Sequence, residues 1–235
     1  MPTIVFASPK GGAGKTTAAL VLATQISRGA PVTIIDADPN LPIKTWAGAG
    51  NAPSNLSVIS DVTEDNIIQH IEDAAQKTPF VIVDLEGTAA TIVLMAVSQA
   101  DLVIIPTQGS QLDAEQAGKA LSVMRKQEQM TKRAVPYAVL MTRTNPAIRT
   151  RTTGHIQKSL ADAGIPVFET QLHEREAYRA IFSFKQPLDG LDPKDVANIP
   201  KAIANAEQFA QEVIAKIKAG EGGDAPEETM VGRAA

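Results

Sequence analysis

The sequence contains no cysteine among its 235 residues. Without thiolates the chain cannot form a disulfide framework, a thiolate zinc site or a cysteine-ligated iron–sulfur cluster. Its three histidines, His70, His155 and His173, are scattered and lack the close spacing of a metal site. We therefore expect no transition-metal centre.

Long apolar runs are missing as well. No stretch reaches the roughly eighteen apolar residues that a membrane-spanning helix needs, and the first residues lack the charged and apolar regions of a signal peptide. Residues from 220 onward are mostly acidic or small, with only Met230 and Val231 as sizeable apolar residues, which does not suit a basic amphipathic helix lying on a membrane. We expect a cytoplasmic protein without membrane contact.

Positive charge is not in excess either. The formal net charge is −4, so binding to DNA would require a local basic patch. Hydrophobic residues make up 44% and charged residues 20% of the chain, which is typical of a folded globular domain.

Short apolar runs alternate with segments of helical periodicity along the chain. The runs predict buried strands at residues 3–7, 32–35, 80–83, 102–105 and 138–141. Helices are predicted at residues 15–27, 89–98, 112–129, 152–163 and 200–218, with Gly220 just after the last one. This alternation predicts a doubly wound, mostly parallel α/β sheet flanked by helices. We expect one domain at residues 1–219 and a flexible tail at 220–235.

A glycine-rich loop lies between the first predicted strand and the first helix, which is the context that a phosphate-binding loop requires. Its glycines let successive N–H groups face one anion, and the helix N-terminus adds partial positive charge. Lys15 can neutralise phosphates, and the Thr16 hydroxyl can ligate Mg²⁺. The predicted nucleotide-binding residues here are Lys10, Gly11, Gly12, Ala13, Gly14, Lys15, Thr16 and Thr17.

The loop departs from the usual spacing, because Pro9 occupies the first glycine position and is followed by an extra lysine, Lys10. KGGxGKTT is the deviant Walker A loop, and the chain resembles the ParA/MinD family over about residues 2–218. That resemblance implies ATP with Mg²⁺ as ligands and an ATP-sandwiched homodimer. It also implies that Lys10 reaches the partner subunit's nucleotide and acts in catalysis together with Lys15.

Acidic residues follow two of the predicted strands. Carboxylates at strand ends can hold Mg²⁺, which suits Asp36 and Asp84 together with Thr16. By resemblance residues 36–40 form the first switch, where Asp38 orients the attacking water, and residues 81–84 are the Walker B strand. The alternative for any single aspartate is a helix cap or a solvated loop group. Residues 85–88, Leu-Glu-Gly-Thr, depart from the proline-containing second switch of the family.

Two further sets of site residues are predicted from the second half of the chain. Met141, Thr142 and Arg143 stand where the family places groups near the adenine, at the carboxyl end of a late strand. Basic residues are concentrated in the same half, where they either contact DNA phosphates or form solvated surface. The candidate DNA contacts are Arg149, Arg151, Lys158, Arg175, Arg179 and Lys185.

The resemblance implies an ATPase that dimerises with ATP, binds DNA non-specifically and is released when a partner stimulates its slow hydrolysis. The partner would be ParB-like or a cargo adaptor, the ATP state would be nucleoid-associated, and the work would be plasmid or chromosome partition or cargo positioning. Because residues 172–178 also resemble VirC-type relatives, recruitment of a relaxosome for conjugative transfer is an alternative. A P-loop synthetase and an adaptor that binds ATP without hydrolysing it are alternatives of another class.

Overall fold

In the computed structural model the chain is described at residues 1–8, 11–86, 90–108, 111–145 and 151–221. Seven strands form one sheet in the order β3-β2-β4-β1-β5-β6-β7, and every pairing among them is parallel. The strands are β1 (Thr3–Phe6), β2 (Val32–Ala37), β3 (Leu56–Ile59), β4 (Phe80–Leu85), β5 (Leu102–Gln108), β6 (Tyr137–Thr144) and β7 (Leu172–His173).

Helices connect the strands and cover both faces of the sheet. They are α1 (Lys15–Ile26), α2 (Pro42–Ala47), α3 (Ile67–Lys77), α4 (Ala90–Ser98), α5 (Gln111–Thr131), α6 (Arg151–Asp162), α7 (Glu176–Ser183) and α8 (Ile199–Glu221), with a 3₁₀ turn at Leu188–Gly190. The predicted doubly wound α/β fold with helices on both sides is therefore confirmed, and the described sheet is wholly parallel.

The two faces of the sheet follow from the alternation of side chains along each strand. In β1, Ile4 and Phe6 pack on the α1, α7 and α8 side, whereas Val5 packs on the α3 to α6 side. Both faces of the central strands are covered, so these strands are apolar throughout, as the short runs in the sequence indicated. The result is a three-layer core with the sheet in the middle.

Several elements differ from the prediction. The sequence reasoning did not identify β3, α2, α3, β7 or α7. The last helix does not stop before Gly220 but continues to Glu221. Gly220 is not among the residues of positive φ, so it does not make the left-handed turn by which glycine usually ends a helix. Residues 220 and 221 of the predicted flexible tail belong to this helix. The rest of the predicted tail lies outside the described residues.

The topology fixes where a ligand can reach the sheet. β1 lies between β4 and β5, and the loop after β1 leads into α1 at the carboxyl edge of the sheet. In sheets of this kind the crevice at this edge, where the strand order reverses, is the usual ligand site. No helix in the described part of the chain is long and apolar enough to cross a membrane.

Candidate nucleotide-binding site

The glycine-rich loop enters α1 through two residues with left-handed backbone. Gly12 has φ 77° and Gly14, the N-cap of α1, has φ 91°. A side chain at Gly14 would be strained by this φ, and its Cβ would also lie 3.6 Å from the Cβ of Thr142. Since 3.6 Å is an ordinary van der Waals separation, it is the left-handed turn that requires glycine here. Lys10, the residue on which the dimer prediction rests, lies outside the described residues.

Side chains from β5 and β6 hold the back of this loop. The Gln108 Nε2 group donates to the Gly12 carbonyl at 2.7 Å, and the Thr142 hydroxyl donates to the Ala13 carbonyl at 2.8 Å. In a trans peptide the N–H points opposite to the C=O. The N–H groups of Ala13 and Gly14 are therefore directed away from β5 and β6. This orientation suits a cradle for an anion at the N-terminus of α1.

Lys15 is the first residue of α1, and its side chain folds back over the loop. It is only 8% exposed, and its Nζ donates to the carbonyl of Ser8 at 3.3 Å. Burial lowers the pKa of Lys15, and the nearby carboxylates of Asp84, Asp38 and Glu86 oppose that shift. The carboxylates therefore help to keep the buried ammonium protonated, which is the form that a phosphate requires.

Two carboxylates stand side by side at the same edge of the sheet. Asp36 and Asp84 are direct partners in the pairing of β2 with β4, and both are fully buried. Burial raises the pKa of Asp84 to about 7, and the charge of Asp36 adds to the shift. The Thr16 hydroxyl and the Lys15 ammonium lower this pKa somewhat, although Thr16 does not reach hydrogen-bond geometry.

The hydrogen bonds of this pair are incomplete. No described residue donates a hydrogen bond to either carboxylate oxygen of Asp84 or to Oδ1 of Asp36. Unpartnered buried oxygens are costly, and a hard divalent cation satisfies such oxygens best. The residues present therefore fit Mg²⁺, which Asp84, Asp36 and the Thr16 hydroxyl would hold at the end of the P-loop.

The other oxygen of Asp36 stabilises the first turn of α2. Oδ2 accepts the backbone N–H groups of Ile43 and Lys44, both at 2.9 Å, in the first turn of α2. Burial raises the pKa of Asp36, and these two hydrogen bonds lower it. The sequence left open whether this aspartate caps a helix or faces a ligand. In the structure Oδ2 caps α2, and Oδ1 is the oxygen that a ligand could engage.

Asp38 lies just after the end of β2 and is half-buried. Its Oδ1 accepts both the backbone N–H of Asn40 at 2.8 Å and the side-chain amide of Asn40 at 2.9 Å. This closes a local turn of the kind that aspartate commonly stabilises. Asp38 is also close enough to Lys15 to raise the pKa of that lysine, which brings it to the same edge of the sheet.

A cavity of about 280 Å³ opens beside the P-loop, between β6, β7 and α7. Of the residues predicted near the adenine, Thr142 and Arg143 line it, whereas the side chain of Met141 is fully buried in the core on the α3 to α6 side. The remaining lining residues are Gly14, Thr17, Leu172, His173, Glu174, Arg175, Tyr178 and Arg179. Because Gly14 and Thr17 form one wall, the cavity adjoins the phosphate cradle directly.

A buried network that the sequence reasoning missed holds the far wall of the cavity. Oδ1 of Asn205, on α8, accepts the backbone N–H of His173 and the hydroxyl of Tyr178, each at 3.2 Å. Its Nδ2 donates to the carbonyl of Gln171 at 2.8 Å. Nδ1 of His173 lies 2.8 Å from the hydroxyl of Thr144 on β6. One polar side chain therefore joins β7, α7 and α8.

The predicted DNA contacts fall in different places. Arg175 and Arg179 line the cavity, and Arg179 forms ion pairs with Glu174 and Glu176. Lys158 is exposed on α6, and Lys185 is exposed just after α7. Arg149 lies outside the described residues, as does the side chain of Arg151. Within the described part of the chain, two of the predicted DNA contacts thus share a wall of the cavity.

Comparison with known proteins gives concordant matches. A family model described as VirC1 protein matches residues 1–192. Protein ParA of Rhizobium radiobacter is 42% identical over 92% of this chain and 98% of its own length. Protein virC1 of Rhizobium rhizogenes is 30% identical over 77% of this chain and 80% of its own length.

Solved structures agree on the architecture. The ATP complex of a McdA variant from Cyanothece superposes with a TM-score of 0.69 and 18% sequence identity, covering 94% of this chain and 96% of that one. At this identity the likeness establishes the fold. It shows that the same arrangement of strands and helices occurs in a protein solved with ATP.

Proposed function

The chain belongs to the VirC1 family of ParA/MinD-type P-loop ATPases, and on that premise we propose that it is a slow, partner-stimulated ATPase that partitions or positions cargo. Its ligands in this proposal are ATP and Mg²⁺. Its cycle alternates between an ATP-bound dimer on DNA and a released form after hydrolysis.

The observation that carries the proposal is the buried pair Asp36 and Asp84 beside Lys15. A fully buried carboxylate with a pKa near 7 is unfavourable unless a cation is brought to it. Mg²⁺ bound with a triphosphate brings that charge, and Lys15 lies where the phosphates would meet it. A purely structural loop would gain nothing from this arrangement.

The chain's own residues can supply most of what phosphoryl transfer needs. Amides of the P-loop and the ammonium of Lys15 hold and neutralise the phosphates. Mg²⁺ would neutralise further charge at the phosphate oxygens. Asp38 uses one carboxylate oxygen for its local turn, and the second oxygen is available to orient a water molecule. Because these groups of one subunit neutralise the triphosphate only in part, hydrolysis by the single subunit is expected to be slow.

The dimer and its DNA binding complete the proposal. In a face-to-face dimer Lys10 would add a positive charge to the partner's triphosphate, which would make dimerisation depend on ATP. Exposed basic residues such as Lys158 and Lys185 from both subunits would then act together on DNA phosphates. A ParB-like protein or a cargo adaptor would accelerate hydrolysis and release the dimer from the nucleoid.

A second candidate function follows from the family match itself. The model that matches residues 1–192 is that of VirC1 protein. In this alternative the same ATP-driven dimer recruits a relaxosome for conjugative DNA transfer instead of partitioning a replicon. The two candidates share the nucleotide chemistry and differ in the partner.

The experiment that tests the proposal measures oligomeric state and DNA binding together. Light scattering and DNA retardation are recorded with ADP, ATP and a non-hydrolysable ATP analogue, at low and at higher salt. We expect a dimer and salt-sensitive retardation with the triphosphates alone. A protein that stays monomeric with every nucleotide and does not retard DNA would refute the proposal and favour a synthetase or an adaptor.

A further inference from the structure

The cavity beside the P-loop contains an arginine whose innermost N–H group has no acceptor. The Nε atom of Arg175 is buried, and none of the described residues accepts a hydrogen bond from it. Buried donors without a partner are rare in native proteins, and each calls for an explanation. In a cavity wall, the simplest explanation is a ligand that supplies the missing acceptor.

The position of Arg175 is well defined by its backbone. It is the extended N-cap residue of α7, and its carbonyl accepts the N–H of Tyr178 at 3.2 Å. The preceding residue, Glu174, donates its N–H to the carbonyl of Thr144 at the end of β6 at 2.9 Å. These contacts fix the backbone of Arg175 at the cavity, and its side chain lies in the cavity wall with Nε buried.

The other two arginines of the cavity are already engaged. Arg179 is paired with Glu174 and Glu176, and Nε of Arg143 lies 3.9 Å from a carboxylate oxygen of Glu174. Glu174 is therefore occupied as an acceptor. Among the described residues of this wall, Arg175 is thus the arginine with a buried N–H donor that lacks an acceptor, and a ligand in the cavity can supply one.

The same cavity begins at the phosphate cradle. Gly14 and Thr17, in the loop and the first turn of α1, form the wall nearest to the phosphates. A nucleotide with its phosphates on the P-loop would extend its ribose and base from that point. We propose that Arg175 is a nucleoside-binding residue, which donates from Nε to an acceptor atom on the base or ribose of the bound nucleotide.

This inference rests on the proposed nucleotide-binding function and adds a specific contact to it. It also assigns Arg175 a role different from the DNA contact that the sequence suggested. The two roles are separable, because a nucleoside contact affects nucleotide affinity and leaves the binding of bare polyphosphate unchanged. A DNA contact affects neither.

The test compares Arg175→Met, which keeps the aliphatic stem, with Arg28→Met as a matched control. Arg28 is an exposed arginine paired with Glu207 on α8. Each full-length protein is titrated with ATP, 2′-deoxy-ATP and inorganic tripolyphosphate in the presence of Mg²⁺. We expect Arg175→Met to raise the Kd for ATP about 10- to 100-fold, which is the range for loss of a hydrogen bond involving a charged group. Tripolyphosphate affinity should stay within about twofold of the unmutated protein, and the control should change neither value.

Each outcome has a defined meaning. If Arg175→Met loses less affinity for 2′-deoxy-ATP than for ATP, the acceptor is the 2′-oxygen of the ribose, and equal losses place it elsewhere on the nucleoside. Equal weakening of ATP and tripolyphosphate would indicate a general defect of the site and overturn the inference. Unchanged ATP affinity with loss of DNA retardation would overturn it in favour of the DNA role. If the unmutated protein binds none of the three, the proposed function itself fails.

Discussion

Replacing Asp84 by asparagine should make the nucleotide-free protein more stable at neutral and alkaline pH. The side chain keeps its shape but can no longer ionise, and its amide can donate to the neighbouring carboxylate of Asp36. Burial raises the pKa of Asp84 to about 7 from an ordinary value near 3.8. A difference of about 3 units corresponds to about 4 kcal/mol of folding free energy at most.

The sign of the effect determines its pH dependence. Since the folded state has the higher pKa, it binds the proton more tightly than the unfolded state does. The native protein therefore loses stability as pH rises from about 4 to about 7, and above that range the loss is complete. Asp84→Asn escapes this loss, so its advantage should be near zero at pH 4 and largest at pH 8. Relaxation and water penetration reduce the ideal value, and we expect about 2–4 kcal/mol.

The assay is denaturant unfolding of the nucleotide-free protein at pH 4.5–8.5, supported by thermal melts. At about 2–4 °C per kcal/mol for a domain of this size, the melting temperature at pH 8 should rise by several degrees. Asp65→Asn, at an exposed position on the surface, serves as the matched control. A stability difference that does not change with pH, or a variant less stable at pH 8, would refute the reasoning.

The stability advantage of Asp84→Asn should largely disappear when Mg²⁺ and ATP are present. At a ligand concentration of about 100 times Kd, binding adds about 2.7 kcal/mol to the unmutated protein. Asp84→Asn lacks the carboxylate that we assign to the cation, so it should gain much less. A variant that is stabilised by Mg²⁺ and ATP as strongly as the unmutated protein would remove Asp84 from the proposed cation site.

Four further substitutions test other parts of the site. Lys10→Ala should bind ATP and stay monomeric in light scattering, and an ATP-dependent dimer of this variant would contradict its cross-subunit role. Asp38→Ala should bind ATP with nearly normal affinity, hydrolyse it at least tenfold more slowly and remain dimeric, whereas normal turnover in a phosphate-release assay would exclude it from positioning water. Thr142→Val leaves a P-loop carbonyl without its donor and should weaken ATP binding by about 1–3 kcal/mol, as measured by calorimetric titration; unchanged affinity would argue that the loop holds its shape alone. Asn205→Ala removes the side chain that holds the cavity wall, so it should raise the Kd for ATP but not the Kd for tripolyphosphate. If the control Asn55→Ala, which lies away from the cavity, raised the Kd for ATP equally, the effect would be a general loss of stability.

Much of the fold could be predicted because its signals are local. Buried parallel strands are continuous apolar runs, and a glycine-rich loop between strand and helix has few alternatives. The missed elements carry weaker or different signals. In α3 the buried positions Ile67, Ile71 and Ala74 recur at helical spacing, so a count of periodicity would have found it. The edge strand β3 is only half-buried and the two-residue β7 is too short to carry a pattern.

The cavity could not be predicted in the same way, because tertiary contacts build it. Thr142 was identified by its position at a strand end, but its hydroxyl holds the P-loop. Asn205 is a single polar residue in an amphipathic helix, and only the packing of α8 beside β7 shows what its amide does. The charge of Arg175 suggested a DNA contact, and only the structure shows that its side chain lines the cavity beside the P-loop.

Asp36, in β2, and Asp38, just after that strand, connect the candidate nucleotide site to the segment that follows. Both lie close enough to Lys15 or to its neighbour Asp84 to share this edge of the sheet. Each accepts backbone N–H hydrogen bonds through one carboxylate oxygen. Asp36 accepts from the first turn of α2, and Asp38 accepts from Asn40. The second oxygen of each is the one that a cation or a water molecule would engage. In the proposed function, a cation or a water molecule bound at these oxygens is therefore linked through each carboxylate to the backbone of Asn40, Ile43 and Lys44.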